Sequence, residues 1–236
     1  MTRIRIATAV SAVLLVAACG GTQPGASGPP SSPPALLPHA NALATAITNT
    51  VARGSAALVI TIESSDMTAD GSGTAAFRDP LAEVAWTVDG TASREIADDD
   101  GRYAQTDAPD GPWRKVAELT PTMGSEHPLV DLGSLADVRA DGTQDIASTT
   151  TSRFIGTLPA AGHLDGLGLT RASQEAVAAD PDARLTVTIW VGDDGLIKRV
   201  QRDLVASTVS SRVRADLTAL GVDVPVKAPT DYQTAM

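Results

Sequence analysis

Cys19 is the single thiol of the 236-residue chain. It follows Leu14-Leu15-Val16-Ala17-Ala18 and precedes Gly20. A thiol behind small residues can act as the nucleophile that accepts a lipid, and Ala17 and Ala18 suit a signal peptidase. Other chemistry-bearing groups are scattered. His39, His127 and His163 are isolated, and His163 with Asp165 gives two potential metal ligands, fewer than a site needs. Asp98, Asp99 and Asp100 before Gly101 lack the alternating spacing and closing Glu of a calcium loop. The chain has no Gly-x-Ser-x-Gly elbow, no His-Glu-x-x-His and no Gly-x-x-x-x-Gly-Lys loop. Its carboxylates are numerous, yet no pair is singled out for acid–base work. The expectation is a protein that is not an enzyme, with no metal and no cofactor.

The residues before Cys19 explain it. Arg3 and Arg5 open the chain, and an apolar run extends from Ile6 to Val16. That run is shorter than the roughly 20 residues needed to span a bilayer and fits a secretory signal. Val16-Ala17-Ala18-Cys19 resembles the bacterial lipobox, in which diacylglycerol joins the cysteine sulfur and cleavage leaves that cysteine first. Residues 1–18 are therefore expected to be a lipoprotein signal peptide and Cys19 the lipidated residue. One unpaired cysteine in an exported chain then has a purpose. Several acyl chains, each methylene contributing about 0.8 kcal/mol, hold a protein at a membrane. The expected location is the outer face of the cytoplasmic membrane, in the cell envelope. Residues 19–38 are rich in Gly, Ser and Pro, with Pro29-Pro30 and Pro33-Pro34, and are expected to be a disordered tether. Residues 39–236 remain as one domain.

Composition narrows the domain's role. A formal net charge of −10, more negative once Arg3 and Arg5 are removed, excludes the basic face that nucleic acid requires. Hydrophobic residues make up 43% of the chain but aromatics only 3%, so aliphatics and alanine must fill the core.

The pattern begins with Leu43, Ile47 and Val51, beside Ala40 and Ala44 and ahead of Gly54, which predicts an amphipathic helix of about 14 residues. Strand signals follow at Ser55–Glu63, Gly71–Phe77, Leu81–Asp89, Thr91–Ile96, Arg102–Gln105 and Trp113–Val116. They are separated by Asp79-Pro80, the 98–101 turn and the loop Asp107–Pro112. Short connections predict an antiparallel meander. Pro128–Ala136 reads as a short helix and Gln144–Leu158 as one or two strands. Helical turns are expected over Ala160–Leu167, and over Arg171–Ala179 with Thr170 as cap. Arg184–Val191 and Leu196–Val205 form a hairpin across Asp194-Gly195. Thr208–Leu217 is the last strand, with an extended tail over Gly221–Ala228.

These residues are similar, as an ordered set of short motifs, to the LolA-like lipoproteins of actinobacteria, the LppX/LprA/LprF/LprG type. The motifs are the lipobox and tether; Arg53-Gly54-Ser55 between helix and strand; and Trp113 after an acidic-glycine loop. Further along come the Leu-Gly-Leu break within Leu164–Ala178, and Val187-Thr188-Ile189-Trp190-Val191 leading through Asp194-Gly195-Leu196-Ile197 to Arg199. The set closes with Gly221-Val222-Asp223-Val224-Pro225-Val226. The resemblance implies an α+β fold, a strongly curved antiparallel half-barrel sheet wrapped around a few helices, with an apolar cavity between the layers. One-sided helices and many short alternating strands agree with that layering. It also implies an acylated lipid or glycolipid as ligand.

The cavity-lining candidates are the inward residues of the alternating strands: Leu58, Ile60, Ile62, Val84, Trp86, Val88, Leu185, Val187 and Ile189. The expected function is binding or carrying a hydrophobic ligand, with the membrane reached through the lipid anchor. The alternative is an envelope protein–protein interaction module with a filled core. Void volume separates the two.

Overall fold

Period-2 alternation and short turns build most of this chain into one sheet. The computed structural model describes residues 38–78, 81–98, 100–106, 111–116, 127–227 and 229–234. The expected signal peptide, Cys19, the tether up to residue 37, the strand breaker Asp79-Pro80 and residues 107–110 of the expected loop Asp107–Pro112 lie outside the described residues.

Helix α1 (Pro38–Val51) leads into β1 (Ser55–Ser64), β2 (Thr68–Ala76), β3 (Ala82–Val88), β4 (Thr91–Asp98), β5 (Gly101–Thr106) and β6 (Trp113–Val116). Then come β7 (Ala136–Ile146), β8 (Thr149–Leu158), α2 (Arg171–Ala179), β9 (Arg184–Gly192), β10 (Ile197–Val205), β11 (Ser210–Leu220) and β12 (Tyr232–Thr234). The strands form one 12-stranded open sheet in the order β12-β6-β5-β4-β3-β2-β1-β11-β10-β9-β8-β7. It is two meanders joined where β1 pairs antiparallel with β11. All pairings are antiparallel except the short β12–β6 ladder. The expected α+β class, an antiparallel sheet with a few helices, is the observed one.

One face of the sheet holds the core. Along β1, Leu58, Ile60 and Ile62 are buried while Val59 points out at 42% exposure. β3 turns Val84 and Trp86 to the same side, and β9 to β11 add Leu185, Val187, Ile189, Val200, Val213 and Leu217. Helix α1 covers them with Leu43 and Ala46, Ile47 lying partly buried beside these. Its buried stripe runs through Leu43, Ala46, Ile47 and Thr50, the spacing of one helical face, and Ala44 is exposed rather than part of it. Thr50 is completely buried; its hydroxyl donates to the Ala46 carbonyl at 2.7 Å and accepts the Ile197 amide at 2.9 Å. That bond satisfies a backbone donor where the β9–β10 ladder shifts register.

The Leu-Gly-Leu break is the second cover. Leu167 and Leu169 are completely buried. Ser211 donates to the Leu167 carbonyl at 2.6 Å and Ser64 to the Gly168 carbonyl at 2.7 Å. Gly168 has φ +64, and a Cβ there would lie 2.5 Å from Ile62 Cγ2, so only glycine lets the segment lie this close.

Three expectations are corrected. Pro128–Ala136 is not a helix: it is a run of turns with a 3-10 turn at Leu132–Ser134, entered through Asp131 at φ 64. Ala160–Leu167 is helical only over Ala160–Gly162, and Gly166, at φ 73, takes a left-handed conformation that a helix does not continue through. β7 starts at Ala136, before the expected Gln144, and its register shifts twice against β8.

Helix α2 runs as expected over Arg171–Ala179, with the Thr170 side chain accepting the Ser173 amide. A second cap arrives from the β1–β2 turn. The Asp66 carboxylate accepts from the Thr170 amide at 2.7 Å, the Thr170 hydroxyl at 3.0 Å and the Ser173 hydroxyl at 3.0 Å. Burial by itself raises the Asp66 pKa, but these hydrogen bonds outweigh it and hold the carboxyl below its ordinary value. A depressed carboxylate pKa adds stability above the unfolded value of about 3.9, lost as pH falls through the lower folded value. Asp66→Ala should therefore cost about 1 kcal/mol at neutral pH, and the difference should shrink below pH 4. Urea midpoints of both proteins at pH 7 and pH 3 check this.

Candidate functional site

The nine candidate residues fall on the core face, in cross-strand rows. Ile60 pairs with Gly71, and Gly71 with Trp86; Leu58 pairs with Gly73, and Gly73 with Val84. Leu58, Ile60, Ile62, Val84, Trp86, Leu185, Val187 and Ile189 are each 2% exposed or less, and Val88 packs against them half-buried. The two glycines make this density possible. A Cβ on Gly71 would lie 2.6 Å from Trp86 Cε3 and Cζ3, so the indole rests on the bare backbone of β2.

A hollow of about 730 Å³ lies on the other side of the same strands. Its outward rows are Val59, Ser72, Ala85, Arg94 and Gln105, which are successive ladder partners from β1 to β5, and Asp70, Thr87 and Ala92 beside them. Gly71, Trp86, Thr91 and Ser93 complete the lining, so Trp86 alone of the nine candidates borders it. Ser72, Ala85 and Ala92 carry short side chains in neighbouring strands, and the space between Val59 and Gln105 stays unfilled.

The walls are fixed by side chains that sequence reasoning did not single out. Gln105 is 6% exposed; its Nε2 donates to the Gly111 carbonyl, while its Oε1 is buried with no partner among the described residues. Arg94 Nε donates to Glu83 Oε1 at 2.6 Å, and its guanidinium sits 5.7 Å from the Trp113 ring centre. Beyond Arg94 the tail closes the face. Val224 and Val226 pack with Leu81, Ile96, Tyr103 and Trp113, and Tyr103 meets Tyr232 edge-on at 5.1 Å. The aromatic composition could have flagged this cluster, since both tyrosines and Trp113 meet in it. The hollow leaves no sequence signal beyond small outward residues in adjacent strands.

The isolated polar groups serve structure. Asp98 Oδ1 accepts the amides of Asp100 at 2.9 Å and Gly101 at 3.1 Å, so its carboxylate forms the turn. His163 Nδ1 lies 2.8 Å from the Pro159 carbonyl, and Nε2 lies 4.0 Å from Asp131. Glu95, 4% exposed, pairs with Arg102 at 3.2 Å. Burial first, and then the Arg102 charge, push the His127 pKa below its ordinary value, which keeps that ring neutral at pH 7. Among the described residues no three metal-ligating side chains converge. None of the described helices is long and apolar enough to cross a membrane.

No protein-family model matches the chain, and no curated protein sequence matches it. Solved structures do. LprF from Mycobacterium bovis superposes with a TM-score of 0.53 at 14% identity, covering 83% of this chain and 97% of LprF. The Mycobacterium tuberculosis lipoprotein LppX superposes with a TM-score of 0.50 at 16% identity, covering 78% of this chain and 98% of LppX. The chain has the LprF and LppX fold. At these identities the likeness is one of architecture. It agrees with the LolA-like sheet that the sequence motifs implied, and it extends over nearly the whole of both neighbours.

Proposed function

We propose that this protein is a lipid-anchored envelope protein that binds a hydrophobic, acylated ligand without catalysing a reaction. The observation that carries the reading is the 730 Å³ hollow, within the range of small-molecule sites, on a fold shared with a lipoprotein. Its lining suits an acyl chain: Val59, Ala85 and Ala92 offer apolar surface. The inward residues of β1, β3 and β9 named above are almost all 2% exposed or less, which favours a ligand held by the hollow rather than between sheet and helices.

The anchor follows from the lipobox. Cys19 carries the diacylglycerol, and the domain stands on the outer face of the cytoplasmic membrane. Cys19→Ser should move the chain almost entirely from the membrane fraction to the soluble fraction. Metabolic labelling with a tritiated fatty acid should mark the wild type alone. A labelled Cys19→Ser chain would contradict the anchor.

Native mass spectrometry of the full chain after incubation with an acylated lipid tests binding. A saturable adduct at one lipid per chain is expected, and a bare mass at every lipid concentration would end the carrier reading. The burial of those inward residues also favours a second reading, an envelope interaction module that docks a protein partner across this same outward face. A bare mass together with a defined cross-linked partner in the envelope would support it.

A further inference from the structure

Arg202 stands where the fold otherwise places aliphatic side chains. Its ladder partners are Val187 on β9 and Val213 on β11, and Val200 and Leu204 flank it on the same face of β10. All four are buried in the core. The guanidinium is bonded sparsely. Nη2 donates to the Val130 carbonyl at 2.8 Å, and Nε is shut from solvent with no partner among the described residues. The other half-buried arginines among the described residues, Arg102, Arg153, Arg199 and Arg214, each have a carboxylate within 4.0 Å. Arg202 has none among the described residues, and Asp131 acts on it only from beyond that distance.

Such a charge is costly. A guanidinium does not give up its proton at any physiological pH, so a desolvated one is stabilised only by an anion or by a full set of acceptors. The gap beside it, bounded by Pro128, Val200, Arg202, Val213 and Ala215, is about 10 Å³, the space of one water, so an oxyanion enters only as the turn at Val130 moves outward. The edge formed by Nε and Nη2 is the two-donor fork that matches two oxygens of a phosphate or carboxylate.

We infer that Arg202 anchors a second binding site, which takes an oxyanion between β10 and the turns at residues 127–131. The oxyanion replaces the Val130 carbonyl on Nη2 and supplies the missing acceptor for Nε. Val130 is 53% exposed, so its backbone can turn to water when it is released. Val187, Val200 and Val213 then border the ligand, which suits the anionic head of an amphiphile as well as free phosphate. This site lies on the opposite face of the sheet from the hollow and does not depend on it.

Calorimetric titration of the full chain in non-ionic detergent tests the inference, with short-chain phosphatidic acid, the matching neutral diacylglycerol and inorganic phosphate as probes. Phosphatidic acid should bind, and Arg202→Met should weaken it about tenfold or more, the worth of a charge-assisted hydrogen bond. The Tm of Arg202→Met should hold or rise, since an ill-paired charge gives way to an apolar chain of similar reach. Arg202→Lys keeps the charge without the fork and should fall between the two. Inorganic phosphate binding as tightly, and lost in Arg202→Met, would also support the site and identify a free oxyanion as its ligand. Absence of oxyanion binding, or equal affinity in wild type, Arg202→Met and Arg202→Lys, would overturn it. Diacylglycerol bound equally by wild type and Arg202→Met reports on the hollow alone, so the two sites can fail separately.

Discussion

Gly73→Ala should destabilise the protein by about 3 kcal/mol, a large share of the roughly 5–15 kcal/mol that holds a domain together. A Cβ on Gly73 would lie 1.9 Å from the Glu83 carbonyl oxygen and 2.8 Å from Val84 Cα. These are backbone atoms of the adjacent strand, and no rotamer change moves them. β2 and β3 would have to separate where Gly73 pairs between Leu58 and Val84, both 2% exposed, opening the core at its densest row. Gly71→Ala meets the Trp86 ring instead and should cost somewhat less, because the ring can tilt. A Cβ on Gly133 would meet nothing within 4 Å, and its φ is outside the left-handed region, so Gly133→Ala is the control and should be near neutral. Urea denaturation of the three variants checks the order. A Gly73→Ala midpoint equal to that of Gly133→Ala would contradict the close strand approach.

Ala85→Trp should abolish most lipid binding while leaving the fold intact. Ala85 is exposed, points away from the core, and lies between Ser72 and Arg94 in the outward row. An indole there occupies the middle of the hollow, and aromatic residues suit a strand better than alanine does, so the sheet itself is not weakened. The expected loss of affinity is about tenfold or more, roughly the 1.4 kcal/mol that a blocked apolar contact surface supplies. The Tm should shift by no more than a few degrees. Val187→Ala makes the opposite change: it removes core volume far from the hollow, costing about 1–3 kcal/mol of stability, while affinity for a neutral diacylglycerol, which reads the hollow alone, stays unchanged. A carrier that instead used the sheet–helix interior would respond the other way round to both substitutions.

Much of the architecture was legible because it rests on local rules. The β9–β10 hairpin follows from alternation on both sides of Asp194-Gly195, and α2 from Thr170 ahead of a helix-forming run. The inward faces of β1, β3 and β9 are those that period-2 reading selects. β7 escaped because its bulges and the positive φ of Asp137 interrupt the alternation. β12 escaped because a three-residue parallel pairing depends on where the tail returns. The Ala160–Leu167 turns were over-read, since the left-handed φ of Gly166 ends the helical conformation there. The hollow was invisible for a different reason. It arises from short side chains on three strands that only the register brings together, and no single segment announces it. Arg202 was likewise passed over in sequence, because an arginine in a strand reads as solvent-facing although Val200 and Leu204, two residues either side, are apolar.

The most direct test is the lipid content of the full chain recovered from the envelope of an actinobacterial host, as wild type and as Ala85→Trp. Each is extracted with organic solvent, and the lipid released is counted per chain after subtracting the covalent anchor. The hollow as ligand site predicts about one neutral acylated lipid per wild-type chain and little or none for Ala85→Trp. Equal lipid in both, or none in either, would contradict it.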